Sequence, residues 1–478
     1  MMCVVSCRIA SLLVRDPVAR HDIPVLGHDL ARVRAWTALA LGLWLVCGGC
    51  GGGGSEPADD DHGAADGGAD AAEPVNDGSG DRLDLEPDAL DAGVGDVELD
   101  AGGADAALPD PDPTESGDDY LRFDGMRADA DGLLRVPFRV PAEALSFSAT
   151  VDPGETPRSI ALIALIDRRG EWLFDFTDEE ADYPYRPASP RNVYDALPYT
   201  MTFPNAPDQG VGEGRYEVIF YVDPPSDRGQ APVDVDVVFQ LEPESGTLPR
   251  VEVALWFAPG ASLDADAAFA DPDFGDAVDS LVAIYREGGL GVSDVRYGDI
   301  TGDSGLADVD SPEALASLVG TLAESPDRTL PFIFVEHLEP KAGQALRVRT
   351  TGIPGAPAHP ELARRSAVVI ALDRYPASIR RAGEMLAHEG AHLLGLAHTT
   401  EYDGERHDPI DDTPECPAER ASQATDDGTM FLIPADCADL DGYNLLFHTA
   451  PRESVPQREL TAGQGVVMSA HPSVRWTP

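Results

Sequence analysis

An α/β unit with a mixed twisted sheet and one long site-bearing helix, preceded by an all-β sandwich and a disordered acidic tether, is the architecture this sequence predicts. Three observations predict it. From Leu248 onward, strand-like apolar runs alternate with runs of helical period and end in an amphipathic segment carrying HEGAHLLGLAH at His388 to His398. Between Tyr120 and Leu241, short runs of aromatic and branched residues are separated by Pro, Gly, Asp and Asn, with no helical period between them. Residues 51–119 hold 22 acidic residues against the single Arg82.

The chain opens on residues 1–49, which read as an N-terminal extension and an export signal. Arg34 stands before an apolar core of about twelve residues, too short for a permanent membrane span. Val33 offers an alternative start that would leave residues 1–32 untranslated. The signal ends at Gly48-Gly49-Cys50 and resembles a bacterial lipoprotein signal, although Cys47 stands where Leu is usual; the resemblance implies lipidation of Cys50. The plainer alternative is an ordinary cleaved signal. Residues 50–119 cannot bury enough apolar surface to offset their ordering entropy, so they are expected to form a self-repelling linker. Their Asp content offers calcium a loose hold, but no calcium-loop spacing is present, and a solvated linker is the better reading.

Residues 120–247 are expected to fold as an antiparallel sandwich of seven or so strands: Leu134 to Val140, Leu145 to Val151, Ser159 to Ile166, Trp172 to Phe176, Tyr199 to Phe203, Tyr216 to Val222 and Val233 to Leu241. No reactive constellation is visible in it. Binding of substrate, glycan or a partner suits such a domain, and so does the simpler role of holding its neighbour.

In residues 248–478, Val251 to Phe257 predicts a buried strand and Asp271 to Glu287 a helix with Phe274, Val278, Leu281 and Ile284 on one face. A strand over Val292 to Ile300, a helix over Pro312 to Glu324, and strands over Leu330 to Glu336 and Ala367 to Leu372 follow. Gly352 to Pro360 reads as a loop that borders a cleft, with His359 a surface residue or a second metal group. From about Pro376, Ile379, Ala382, Leu386 and Leu393 fall at helical spacing, so His388 and His392 share one face.

One turn of helix thus offers two imidazoles to one metal ion. Glu389, directly after the first, stands beside that ion in a general base's position. Gly395 is suited to the left-handed conformation that ends a helix, which lets His398 return as a third nitrogen. Three histidines leave a fourth tetrahedral position open, the geometry of a catalytic zinc site.

The extended motif resembles that of the metzincin clan of zinc peptidases. The run HTTE at His398 to Glu401 and DPIDDTPEC at Asp408 to Cys416 look most like the pappalysin group and its bacterial relatives. The resemblance covers about 230 residues and implies an endopeptidase with zinc on His388, His392 and His398 and Glu389 as general base. Two departures stand out. The family usually has a bulky residue and then Gly after the Glu, whereas this chain has Gly390 and Ala391. Metzincins also place a methionine in a turn under the three histidines; context puts Leu446, in Asn444-Leu445-Leu446-Phe447, at that position, with Met430 the rival. Leucine supplies a similar apolar floor.

With the signal cysteines removed and Cys50 lipidated, Cys416 and Cys437 remain, and they are expected to pair outside the cytoplasm. The net charge of −51 argues against nucleic acid or anionic lipid as a partner held by bulk electrostatics. The expectation is an exported, lipid-anchored zinc endopeptidase of a bacterial cell envelope, placed by resemblance at an outer membrane or cell surface. Its partner is a protein or peptide substrate pairing with a sheet edge, and its only membrane contact is the anchor. The competing class is a non-catalytic surface binding protein with a structural zinc site; a zinc amidase is a third.

Overall fold

The computed structural model describes residues 111–477 apart from 155–157, 177–196, 223–230, 244, 325–327, 341–344, 361, 363–365, 425–427 and 450–454. The expected signal, Cys50 and nearly all of the tether lie outside the described residues. The described part falls within one compact unit, Pro74–Pro478, and is mostly β-sheet with few helices.

Among the described residues nine strands make two antiparallel sheets: β1 (Glu115–Ser116), β2 (Tyr120–Met126), β3 (Leu133–Val140), β4 (Ala144–Asp152), β5 (Ile160–Ile166), β6 (Trp172–Asp175), β7 (Tyr199–Phe203), β8 (Gly214–Val222) and β9 (Val233–Leu241). Their orders are β1-β2-β9-β4-β7 and β3-β8-β5-β6. The period of two along β4 explains the layering. Phe147, Ala149 and Val151 enter the core shared by both sheets, with Phe138, Tyr216 and Phe239, while Ser146, Ser148 and Thr150 face the other way. Those outward hydroxyls are buried too: Ser148 and Thr150 bond across to Thr202 and Thr200 of β7. β1 and β2 were not expected from sequence.

The second body is built on β10 (Leu248–Phe257), β11 (Gly291–Asp299), β12 (Asp308–Val309), β13 (Thr329–Val335), β14 (His337–Leu338), β15 (Val348–Thr350), β16 (Val368–Ala371), β17 (Gln423–Ala424), β18 (Met430–Phe431) and β19 (Arg475–Thr477). Its main sheet runs β11-β10-β13-β16-β15, with β19 also on β10. The first four are parallel, and β15 is an antiparallel edge strand on β16.

Around the sheet lie α1 (Ala265–Ala270), α2 (Pro272–Glu287), α3 (Pro312–Gly320), α4 (Ile379–Leu393) and α5 (Ala462–Ala470). Alternate residues sort onto the two faces. Val253, Leu255, Phe332, Phe334, Val368 and Ile370 pack with α2 and α4, whereas Ile333, Val335, Val369 and Ala371 pack with Leu315, Leu318 and Val319 of α3. α2 starts where Asp271 caps it, its side chain accepting from the backbone N–H of Asp273 and Phe274, with Pro272 at the first turn. The expected helix over Pro312 to Glu324 stops at Gly320 and continues as a 3₁₀ turn, Thr321–Glu324. Helix α4 begins at Ile379 rather than Pro376.

The two bodies are in direct contact. Leu197, just before β7, is buried among Ala258, Ile300, Val309 and the α3 leucines. Asp119 meets Arg328 and lies 3.3 Å from His359, whose ring packs on Tyr120 at 4.7 Å. His359 is therefore not a surface residue: it is buried at this junction, paired with Asp119 and against the tilted ring of Tyr120.

Candidate metal centre

Helix α4 brings His388 and His392 to one face, their Nε2 atoms 3.0 Å apart and their rings perpendicular. The helix ends at Leu393, and Gly395 has φ +99, where a side chain would be strained. Gly395 N–H donates to His392 O, and Leu396 N–H reaches back to Ala391 O, which closes the turn. His398 returns with its ring centroid 5.4 Å from that of His388 and 4.8 Å from that of His392. One nitrogen from each residue falls within 4.8 Å of the others, and all three residues are buried.

The outer nitrogens fix the tautomers. His388 Nδ1–H donates to Leu445 O at 2.6 Å and His392 Nδ1–H to Leu396 O at 2.7 Å; His398 Nδ1 lies 3.2 Å from Glu401 Oε2. With Nδ1 carrying the proton, each Nε2 presents a lone pair inward. Two such lone pairs facing each other at 3.0 Å are repulsive unless a cation or a shared proton lies between them. Ligands about 2.0–2.1 Å from a tetrahedral ion stand roughly 3.3 Å apart, so the three imidazoles, with His388 and His392 at this spacing, could bind a metal ion.

Glu389 is buried beside this group, and its carboxylate accepts a hydrogen bond from Thr350 Oγ1 at the end of edge strand β15. Below it, Tyr285 donates to Ala387 O at 3.0 Å; burial, and then the Glu389 charge, hold the phenol well above its usual range. This packing accounts for Gly390. A Cβ there would stand 2.4 Å from Tyr285 Oη, 2.9 Å from Phe332 Cζ and 3.0 Å from Leu330 Cδ2, so α4 could not lie this close to α2 and β13 with a larger residue.

The turn Asn444 to Phe447 touches this group. Leu445 O receives His388, Leu446 O receives Thr399 N–H at 3.0 Å, and the Leu446 side chain is buried in the core cluster of α2 and α4. Asn444 ties the turn to α5: its Oδ1 accepts from Leu446 N–H and from Gln464 Nε2, and its Nδ2 donates to Gln464 Oε1. Met430 lies in β18 and is half exposed.

Cys416 and Cys437 form a disulfide, so the nearby grouping of these sulfurs with Asp441 has no thiolates to offer a metal. Asp441 is buried and accepts from Thr399 Oγ1 and Thr400 Oγ1, which anchors the strand of chain after His398; Cys416 N–H donates to Thr400 Oγ1. Burial pushes the Asp441 carboxyl up, and that of Asp408 up to about 7. Thr413 Oγ1 lies 2.5 Å from Asp408 Oδ1 and 2.6 Å from Ile410 O, and Ile410 N–H donates to the same carboxylate oxygen.

Near the site, Glu401 was named from sequence only as the end of the HTTE run, and three residues were not singled out: Thr350, Tyr285 and His448. The last is buried with its ring 6.4 Å from that of His398, and burial pushes it down to about 3. Gly352 to Pro360 does border the end of α4, through Gly355 N–H to Leu393 O.

No protein-family model matches the sequence, and no curated protein matches it. Among solved structures, metalloproteinase-II from Bacteroides fragilis aligns at 14% identity over 38% of this chain and 59% of its own length, with a TM-score of 0.24. A family two carbohydrate esterase from Clostridium thermocellum, in complex with cellohexaose, aligns at 12% identity over 46% of this chain and 62% of its own, TM-score 0.13. One from Cellvibrio japonicus aligns at 13% identity over 47% and 62%, TM-score 0.14. All three are hydrolases, and this chain spans less than two thirds of the length of each. Likenesses this slight assign the chain neither a family nor an activity.

Proposed function

We propose that this chain is a metal-dependent endopeptidase of the metzincin type, with zinc as its ion and its nearest resemblance in the pappalysins. The observation that carries this reading is the convergence of three buried imidazoles, each with Nδ1 against an oxygen acceptor, beside one buried carboxylate. His388, His392 and His398 would hold the zinc ion, which when bound would supply Lewis acidity toward a carbonyl and a water.

The chain's own groups do the rest. Glu389 takes a proton from the attacking water and returns it to the departing amine nitrogen. Thr350 Oγ1 donates to one oxygen of that carboxylate and so orients it. Edge strand β15, antiparallel on β16 and ending at Thr350, offers its outer backbone groups to an extended peptide, so substrate pairing and the base sit on adjoining residues. The rival reading, a binding protein with a structural site, is less favoured because structural zinc sites close with four protein ligands, and among the described residues this group comprises three.

The decisive test is Glu389→Gln. The variant is expected to keep stoichiometric zinc and to lose at least ~10²-fold of the cleavage of a denatured protein. Equal cleavage by both proteins would sink the enzyme reading.

Export and anchoring through Cys50 belong to the same proposal and rest on the sequence. Among the described residues no helix is long and apolar enough to cross a membrane. Cys50→Ser is expected to move the protein from the membrane fraction to the soluble one. Retention on membranes after a salt wash would rule the anchor out.

A further inference from the structure

The three histidines are not supported alike. His388 and His392 rest their Nδ1–H groups on main-chain carbonyls, those of Leu445 and Leu396, which any side chains at those positions would supply. His398 faces a carboxylate instead, Glu401 Oε2 at 3.2 Å. A carbonyl fixes the tautomer only. A carboxylate fixes it and adds a negative charge, which strengthens the opposite nitrogen as a donor and offsets part of the charge of a bound dication.

Glu401 is held where it can do this. Its N–H donates to Arg406 O and its own carbonyl receives Gly404 N–H, so the loop closes on itself within six residues. Gly404 has φ +70, and a Cβ there would stand 2.6 Å from Ala418 N. Tyr402 O receives Leu432 N–H, and Thr400 is fixed by Asp441 and by Cys416 N–H. The loop that carries the carboxylate is thus tied on both sides to the segment closed by the disulfide.

We infer that Glu401 is a positioning residue of the metal centre, holding His398 in its ligating tautomer and strengthening it as a donor. The inference rests on the reading that the three histidines bind a divalent ion, and nothing in it depends on the substrate. Through His398, the loss of Glu401 weakens the hold on the ion without touching the ion itself.

The full chain would be stripped with a chelator and titrated with zinc against a chromophoric competitor, as wild type, Glu401→Gln and Glu405→Gln. Outer carboxylate partners of ligating histidines are worth ~10- to 100-fold in metal affinity, and that is the loss expected for Glu401→Gln. Glu405, exposed in the same loop, is the control for removal of a nearby charge, and its variant should bind as wild type does. The melting temperature of the metal-free protein is expected to be the same for all three, which separates weakened ligation from a damaged fold. Should Glu401→Gln fail to fold, Glu401→Asp, whose shorter side chain withdraws from His398, takes its place with the same expectation. Wild-type affinity in the Glu401 variant, or equal weakening in Glu405→Gln, overturns the inference. No zinc binding by the wild-type protein would instead overturn the metal centre as a whole.

Discussion

Gly390 is where this chain departs from the motif it resembles, and its neighbours give the reason. Alanine is the better helix former by up to about 1 kcal/mol, so Gly390→Ala would stabilise an isolated α4. In place, its Cβ meets Tyr285 Oη, a buried hydroxyl held by Ala387 O. Overpacking of a tight core costs typically ~1–3 kcal/mol, so the expected outcome is a lower melting temperature. Tyr285→Phe removes the nearest of the three colliding atoms and leaves Phe332 and Leu330 in place. The two substitutions should therefore couple by at least ~0.5 kcal/mol in a double-mutant cycle, the double variant being more stable than the sum predicts. Strict additivity would show that Tyr285 is not what demands the glycine. Residues such as His388, Glu389 and His392 are legible in the sequence because one helix turn fixes their relations. Thr350 is not, since it reaches Glu389 from a strand 39 residues away. Glu401 is only three residues past His398, yet no period fixes a loop, and its role shows only once the loop is closed.

At the scale of elements, legibility follows length and regularity. Strand β10, helix α2 and helix α4 were readable because each runs long enough to show its period, ten residues or more. Helix α1, six residues, and strand β15, three residues, carry too little pattern. The loss of β15 matters most, since it forms the sheet edge beside Glu389. Strand β2 escaped for another reason: Gly125, with φ +67, interrupts a run that sits against the acidic segment, and its pairing with β9 slips its register between Phe123 and Met126. Cys416 and Cys437 were paired by counting rather than by geometry. His359 was misread because loop composition suggests a surface, and what buries it, Asp119 and Tyr120, comes from about 240 residues earlier in the chain.

On the scale of the whole molecule, the sandwich does more than precede the body that carries the histidines. Charge marks one point of contact: Arg328, mostly buried and beside Arg475, is pushed down to about 10 by burial and meets Asp119. Truncating one side of such a pair leaves the other charge unmet, so it reports poorly on what docking contributes. Leu197 is the cleaner probe. It leaves the sandwich just before β7 and fills a place in the apolar layer under α3, among Ala258, Ile300, Val309 and Leu315. Leu→Ala in such a layer costs ~2–5 kcal/mol, depending on how far the site relaxes. If the cavity opens in the shared layer, Leu197→Ala lowers the melting temperature of the full chain, and faster amide exchange appears in α3 and β13 as well as in β7. Helix α4, on the opposite face of the sheet, should keep its protection and the histidines their zinc, because the substitution lies a full sheet thickness from them. Faster exchange confined to β7 and its sheet would mean that Leu197 belongs to the sandwich alone, and that the sandwich leaves the stability of its neighbour unchanged.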